Sequence, residues 1–395
     1  MGSMPLALPF FAAFTIFGVA SPFLPVLVRS LGYEPALVGI LLGIFEVAGI
    51  AGPFLLGRLS DRLGRYRPSL ALALALALVS LGPLALFRHP ALTALALVVF
   101  AIGLRSILPL LDATATLTLG PGGDYGRPRA AGSVSFVLMA LFLQYSSILP
   151  PHSPARIAFW IAVAILGTLA SLSVLPDRDP AELKARRAEH GAEHGPASRG
   201  ERRAPWDPAF LVGLAAIALG RLAMAPISSF FSLYVVEELK VDAVALMWAL
   251  SAGSEIPFMY FSTWLIRRFG PPRLLAASVV AVAARLAVYA LFPTFAGAVA
   301  GQLLHSLCFG LFHPAAVAFV ATKVPKERRG VGMAMYLSLG NGLPTFLGST
   351  AGGFIVEAAG YRVLFASFIV FALASLALFT ATMKALEAPG RSNQI

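Results

Sequence analysis

Seven charged or titratable side chains lie well inside long apolar stretches of this sequence: Glu46, Arg105, Asp112, Arg221, Glu255, Arg285 and His305, with Arg129 near the mouth of another such stretch. In hydrocarbon an ionisable group costs several kcal/mol unless it is paired or hydrated, so these positions are functional candidates by default. The competing role for each is an ion pair that only fixes helix packing. Arg105 and Asp112 are seven residues apart, which puts them on one helical face about 10 Å from each other along the axis, with Pro109 between them able to bend it. Opposite charges on neighbouring helices can hold a polar solute between them, or hold each other when the solute is absent. Glu255, Arg285 and His305 stand near the middles of three successive stretches. A carboxylate in a weakly polar cavity takes up a proton readily, an approaching arginine expels it, and a histidine can relay it. Those three roles are expected of Glu255, Arg285 and His305 in that order.

The composition says what must position these groups. The chain is 58% hydrophobic and 12% charged, with a mean hydropathy of +0.81, so lipid rather than water is its main solvent. A formal charge of +11 accompanies no basic helix and no aromatic-plus-basic surface, which excludes nucleic acid as a partner. The excess fits Lys and Arg gathered in loops on one side of a bilayer. Arg58, Arg62, Arg65, Arg67, Arg127, Arg129, Arg267, Arg268, Arg273, Lys323, Lys326, Arg328 and Arg329 fall on the same side when both termini are cytoplasmic.

Crossing about 30 Å of hydrocarbon takes about 20 mostly apolar residues, and about twelve runs qualify. The first half holds Leu8–Val28, Ala36–Leu56, Leu70–Phe87, Leu92–Leu117, Ala131–Leu149 and Ile157–Leu175; the second holds Pro208–Val235, Val244–Ile266, Leu274–Phe292, Phe295–Val320, Val331–Val356 and Val363–Met383. The expected fold is all-α and integral to the membrane, with a six-helix bundle over 1–175, a cytoplasmic linker over 176–206 and a second six-helix bundle over 207–395. The linker is too polar to span; His190 and His194 within it read as part of a solvated segment rather than as metal ligands. Met1, Gly2 and Ser3 before Met4 read as a cloning remnant, and Cys308 is the only cysteine, so no intramolecular disulfide forms. Gly39 with Gly43, and Gly348 with Gly352, have the spacing that lets membrane helices approach closely. Gly340, Asn341, Gly342 and Pro344 weaken helical hydrogen bonding in mid-span and predict a bend.

Gly57-Arg58-Leu59-Ser60-Asp61-Arg62-Leu63-Gly64-Arg65 resembles the signature loop between the second and third helices of the major facilitator superfamily. In that reading Gly57 and Gly64 permit close approach and turning, while Asp61 among Arg62 and Arg65 holds a gating network. The second-half counterpart, Arg267-Arg268-Phe269-Gly270, keeps the basic charge without the acid. Phe17-Gly18, Ser21-Pro22-Phe23-Leu24-Pro25, Tyr125-Gly126-Arg127-Pro128-Arg129 and Gly132-Ser133-Val134-Ser135-Phe136 look like the branch of phenylpropionate permeases and oligosaccharide/proton symporters. The resemblance implies that Asp112 and Arg129 contact substrate and that Phe136 replaces a ring-stacking tryptophan. It also implies that Glu255, Arg285 and His305 belong to a coupling cluster. One departure stands out: the branch's main proton-binding acid falls on Cys308, a poor proton carrier at neutral pH, so either Glu255, Glu46 or Asp112 would carry the proton or coupling is different or absent.

These readings converge on a carrier. It is expected to move a small organic solute, an organic or aromatic acid or a sugar, with a proton as coupling ion and no other cofactor or metal. Asp112, Arg129, Phe136, Arg105 and Arg221 are expected at the substrate; Glu255, Arg285, His305 and Glu46 are expected in coupling. Proton-driven efflux is the rival within transport. No stretch carries paired acids at metal-ligand spacing, a Ser/His/Asp set or a phosphate loop, so an enzyme is disfavoured. The protein is expected to work as a monomer in the plasma (inner) membrane.

Overall fold

The computed structural model describes residues 4–119, 126–146, 148–149, 153–175 and 206–387, and every regular element among them is helical. The first six helices are α1 (Met4–Ser30), α2 (Pro35–Leu63), α3 (Arg67–Leu86), α4 (Pro90–Leu119), α5 (Gly126–Ser146) and α6 (Pro154–Ser171). Then come α7 (Pro208–Leu233), α8 (Val244–Phe269), α9 (Pro271–Leu291), α10 (Phe295–Leu303), α11 (Phe312–Lys323), α12 (Arg329–Met335) and α13 (Leu343–Glu387). Residues 176–205 of the expected linker over 176–206, with His190 and His194, lie outside the described residues, as do Met1–Ser3 and Tyr125.

Local chemistry sets many of these boundaries. Proline, pre-set for a helix start and lacking an N–H that would go unbonded there, opens α2, α6, α7 and α9. The Asp207 carboxylate accepts from Ala209 N at 2.9 Å, and the Thr294 hydroxyl from Gly297 N at 3.1 Å, so α7 and α10 begin on capped ends. Two turns repeat across the halves: α2 ends on Gly64 at φ +63°, and α8 meets α9 at Gly270 at φ +77°. Both are left-handed backbone positions that favour glycine.

Among the described residues nine helical stretches are long and apolar enough to cross a membrane, or ten if the bent pair Val244–Phe258 and Tyr260–Phe269 is one span. One of the nine, Lys326–Glu387, runs for 62 residues, and its backbone is non-helical at Gly360, so it has the length of two crossings. The α5 stretch, diluted by Arg127, Arg129, Ser133 and Ser135, is not among them.

The chain packs as two units. One falls within Met1–Gly191 together with Lys240–Ala249, the other within Ala192–Leu239 and Leu250–Ile395. In the first, α1 lies along α5 and α6, α2 along α4, and α3 along α4 and α6. The Gln144 side chain on α5 donates to Asp242 O at 2.7 Å and accepts from Leu246 N at 3.0 Å, tying down the start of α8. In the second, α13 lies along α7 and α9, and α9 along α10 and α11. Gly348 and Gly352 of α13 do face α7: a Cβ on Gly348 would stand 2.4 Å from that of Ala225, and one on Gly352 3.0 Å from the Phe230 ring. The Ser229 and Ser349 hydroxyls join the same two helices at 2.6 Å.

Among the described residues three π turns interrupt the second unit, of which Tyr234–Glu238 directly follows α7. Tyr336–Gly342 contains Gly340, Asn341 and Gly342, so the irregularity expected there is a wide helical turn. Ser306–Gly310, between α10 and α11, contains Cys308. Such turns hold an extra residue per turn and recur at functional sites.

Candidate substrate and ion-coupling site

Four arginines within the apolar stretches or at the mouth of one each lie over an aromatic ring. Arg105 stands 5.1 Å from the centroid of Phe45, Arg129 5.3 Å from Phe14, Arg221 5.9 Å from Phe309 and Arg285 5.6 Å from Tyr289. The negative ring face offsets part of the desolvation of a guanidinium while leaving its N–H groups in the ring's periphery available for bonding.

In the first unit two acid–base pairs form on α4. Arg105 meets Glu46 of α2 at 2.5 Å. The approach is possible because Gly49, one turn from Glu46, has no side chain: a Cβ there would stand 2.7 Å from Arg105 Cγ. Two turns on, Arg129 Nη1 donates to both carboxylate oxygens of Asp112, at 2.9 and 3.1 Å. Asp112 and Arg129 are thus brought together, whereas Arg105 and Asp112, on one face, take different partners. All four side chains stay partly accessible, from 21% for Glu46 to 40% for Arg105. Phe136, half-buried, is seven residues from Arg129 on α5 and so shares its face.

The second unit holds a tighter cluster. Arg285 on α9 is 1% exposed. Its Nε donates to the Tyr289 hydroxyl at 2.9 Å, Nη2 donates to Gln302 Oε1, and Nη1 lies 2.7 Å from His305 Nδ1. A guanidinium has no acceptor, so Nδ1 accepts and carries no proton. The ring proton therefore sits on Nε2, which reaches Glu255 Oε1 at 2.5 Å. Glu255 and Arg285 are linked through the imidazole, with donors running from Arg285 to His305 to Glu255. Cys308, wholly buried in the π turn, also interacts with Arg285.

Gln302 and Tyr289 complete this cluster without being charged. Gln302 accepts from both Arg285 and the Ser251 hydroxyl, the latter at 2.5 Å. Tyr289 is held among Phe231, Tyr234 and Phe365, with centroids 5.0 to 5.9 Å away, and so fixes the ring on which Arg285 rests. The spacings alone hint at it: Arg285 and Tyr289 are four apart and Gln302 and His305 three apart, each pair on one face. Phe14, Phe45 and Phe309 could not be told from the other phenylalanines of an apolar sequence. Arg221 on α7 stands over Phe309, with Nη1 3.7 Å from Met224 Sδ.

The signature loop is helical through Leu63, with Asp61 and Arg62 exposed in the last turn of α2 and Arg65 exposed beyond it. Gly64 makes the turn. Gly57 does not serve close approach as expected, because among the described residues a Cβ there would meet nothing within 4 Å.

Comparison with known proteins bears on what such clusters do. Residues 4–367 match the family described as the MFS_1 like family. The chain is 27% identical over 352 residues to the maltose permease of Geobacillus stearothermophilus, covering 88% of this chain and 86% of that one. It is 25% identical over 381 residues to the probable 3-phenylpropionic acid transporter of Escherichia coli (strain K12), covering 92% and 94%. Among solved structures, that of the nucleoside transporter NupG superposes with a TM-score of 0.74 at 20% identity, covering 98% of this chain and 99% of that one, and so shares the fold. A family match over nearly the whole chain, joined to apolar helices and intramembrane charge clusters, makes the protein an integral membrane secondary transporter: it belongs to the MFS_1 like family of the major facilitator superfamily.

Proposed function

We propose that the chain couples movement of a small organic solute, an organic or aromatic acid or a sugar, to proton symport by alternating access of two six-helix bundles, 1–175 and 207–395. The observation that carries the reading is the hydrogen-bonded line from Arg285 through His305 to Glu255. Glu255 is the proton acceptor. With the carboxylate charged, its bond from Nε2 is charge-assisted and the Arg285 charge is balanced through the ring; a proton on Glu255 weakens that bond and unbalances Arg285. Solute bound nearby then completes the balance or disturbs it, which is what coupling requires. Cys308 supplies no carboxylate, so this relay takes the place of an acid at that position.

Asp112 and Arg129 hold each other without solute and open to contact it, with Phe136 on the same face. Arg105 with Glu46 supplies a second polar contact. In this reading the termini and the linker are cytoplasmic, and the carrier works as a monomer in the plasma (inner) membrane.

The test is reconstitution in liposomes carrying a lumenal pH dye, with phenylpropionate-like acids, disaccharides and nucleosides offered from outside. Lumenal acidification that tracks solute uptake supports symport. Alkalinisation on solute entry identifies an exchanger instead, and uptake without any pH change removes proton coupling.

A further inference from the structure

Midway along the stretch Phe295–Lys323 three rings stand in line. His305 and Phe309 have centroids 5.6 Å apart and planes 5° from parallel, and Phe309 and His313 follow at 6.3 Å and 8°. Four residues of regular α-helix turn a side chain about 40° off its starting direction, so three rings at this spacing would fan apart. The π turn Ser306–Gly310 follows His305 and contains Phe309, and its wider step offsets the drift of the regular helix that carries His313. The alignment is therefore built into the backbone at this point of the span.

The ladder carries polar groups along its length. Phe309 is 38% exposed at the centre of a 29-residue span, yet its neighbours on the face are imidazoles. His305 is bonded to Arg285 and Glu255, and His313 Nδ1 lies 3.0 Å from the Tyr336 hydroxyl. A stripe so rich in hydrogen-bonding groups is not one that fronts hydrocarbon. Arg221 of α7 stands over Phe309 at 5.9 Å, adding a cation to the same face.

Stacked against each other, the three rings cover one another's faces and leave C–H edges for contact, with the His305 nitrogens held by Arg285 and Glu255 and His313 Nδ1 by Tyr336. Ring edges are electropositive and prefer the electron-rich face of another aromatic ring, whereas a saturated ring offers them only bulk. We infer that His305, Phe309 and His313, with Arg221, form the recognition face for a flat aromatic ring bearing an anionic group. The ring lies across the edges, and the anion sits on the Arg221 guanidinium. This rests on the transport reading above, since it names the cargo of that carrier and selects the aromatic acid over the sugar.

The experiment is a thermal-shift titration of the purified chain with 3-phenylpropionate, its ring-saturated counterpart 3-cyclohexylpropionate, its uncharged counterpart 3-phenylpropanamide, and maltose. The expected result is binding of 3-phenylpropionate about three- to tenfold tighter than of the saturated acid, the range of an aromatic edge-to-face contact. The amide and maltose should bind more weakly still. Phe309→Leu should erase the preference for the flat ring while keeping that for the acid over the amide; Arg221→Gln should do the reverse. Phe309→Tyr keeps the edge and should keep the preference, which guards against reading a folding defect as lost recognition. Equal binding of the two acids by the unmodified chain, binding of maltose alone, or an unchanged ring preference in a folded Phe309→Leu chain would each overturn the inference. Proton movement is read separately in liposomes: an aromatic acid that binds as described but moves no proton defeats the coupling reading and leaves the recognition face standing.

Discussion

Arg285 Nη1 and His305 Nδ1 lie 2.7 Å apart, and because only the guanidinium can donate, that bond holds the imidazole neutral with its proton turned toward Glu255. A second proton on His305 has nowhere to go but Nδ1, and it can arrive there only by displacing Arg285. The histidine therefore transmits the state of Glu255 to Arg285 rather than storing charge itself.

Glu255→Gln keeps an oxygen able to accept from Nε2 but cannot ionise. It should abolish solute-driven proton movement in liposomes while preserving exchange of labelled for unlabelled solute. Normal proton movement in this variant would remove Glu255 from the coupling role.

Gln302 accepts from Arg285 and Ser251 together, so Gln302→Leu leaves two buried donors unsatisfied. Such losses run to about 1–3 kcal/mol each, more for a charged donor, and the melting temperature should fall by several degrees. Gln302→Glu restores an acceptor and should recover stability. It also gives Arg285 a carboxylate of its own, so coupling should stay impaired. A Gln302→Glu chain that couples normally would show that the relay through His305 is dispensable.

Asp112 and Arg129 are bound to one another through both carboxylate oxygens. Either Asp112→Asn or Arg129→Ala should weaken solute affinity about tenfold or more, the worth of one charge-assisted contact. If the pair serves packing alone, affinity will be unchanged and only the melting temperature will move.

Gly52 and Gly57 lie five residues apart on α2 but in opposite circumstances. A Cβ on Gly52 would stand 2.5 Å from Ile102 O, whereas among the described residues one on Gly57 meets nothing within 4 Å. Gly52→Ala should destabilise the protein by about 1–3 kcal/mol through forced separation of α2 and α4. Gly57→Ala should be neutral or slightly stabilising, because alanine is the better helix former. Thermal unfolding in detergent separates the two.

Gln144 spans Asp242 O and Leu246 N with one amide, capping the start of α8 from another helix. Gln144→Ala should raise hydrogen–deuterium exchange in the first turn of α8, with protection elsewhere in α5 and α8 unchanged. Unaltered exchange there would mean that the α8 start is held by other contacts.

Much of this protein was decided by its sequence, because the bilayer imposes rules that one dimension can satisfy. Length and apolarity fix the helices, with backbone groups paired internally since lipid offers no partner. Intramembrane charge at Glu46, Arg105, Asp112, Arg221, Glu255, Arg285 and His305 was visible for the same reason: few residues of that kind survive in hydrocarbon without a task. The turn at Gly64 and the irregularity at Gly340–Gly342 were legible from residue type. What the sequence could not assign was partnership. Arg105 and Asp112 share a helical face, but the space left by Gly49 sends Arg105 to Glu46, while Asp112 takes Arg129. Gln302, Tyr289 and Phe309 are ordinary residues in a run of apolar helix. Only the meeting of α9 with α10, and the π turn at Ser306–Gly310, makes them the acceptor, the platform and the ring edge of a site. Hydrophobic burial in lipid is a property of each segment, whereas hydrogen-bond direction and ring stacking depend on distances of a few ångströms between segments, and those exist only once the helices have packed.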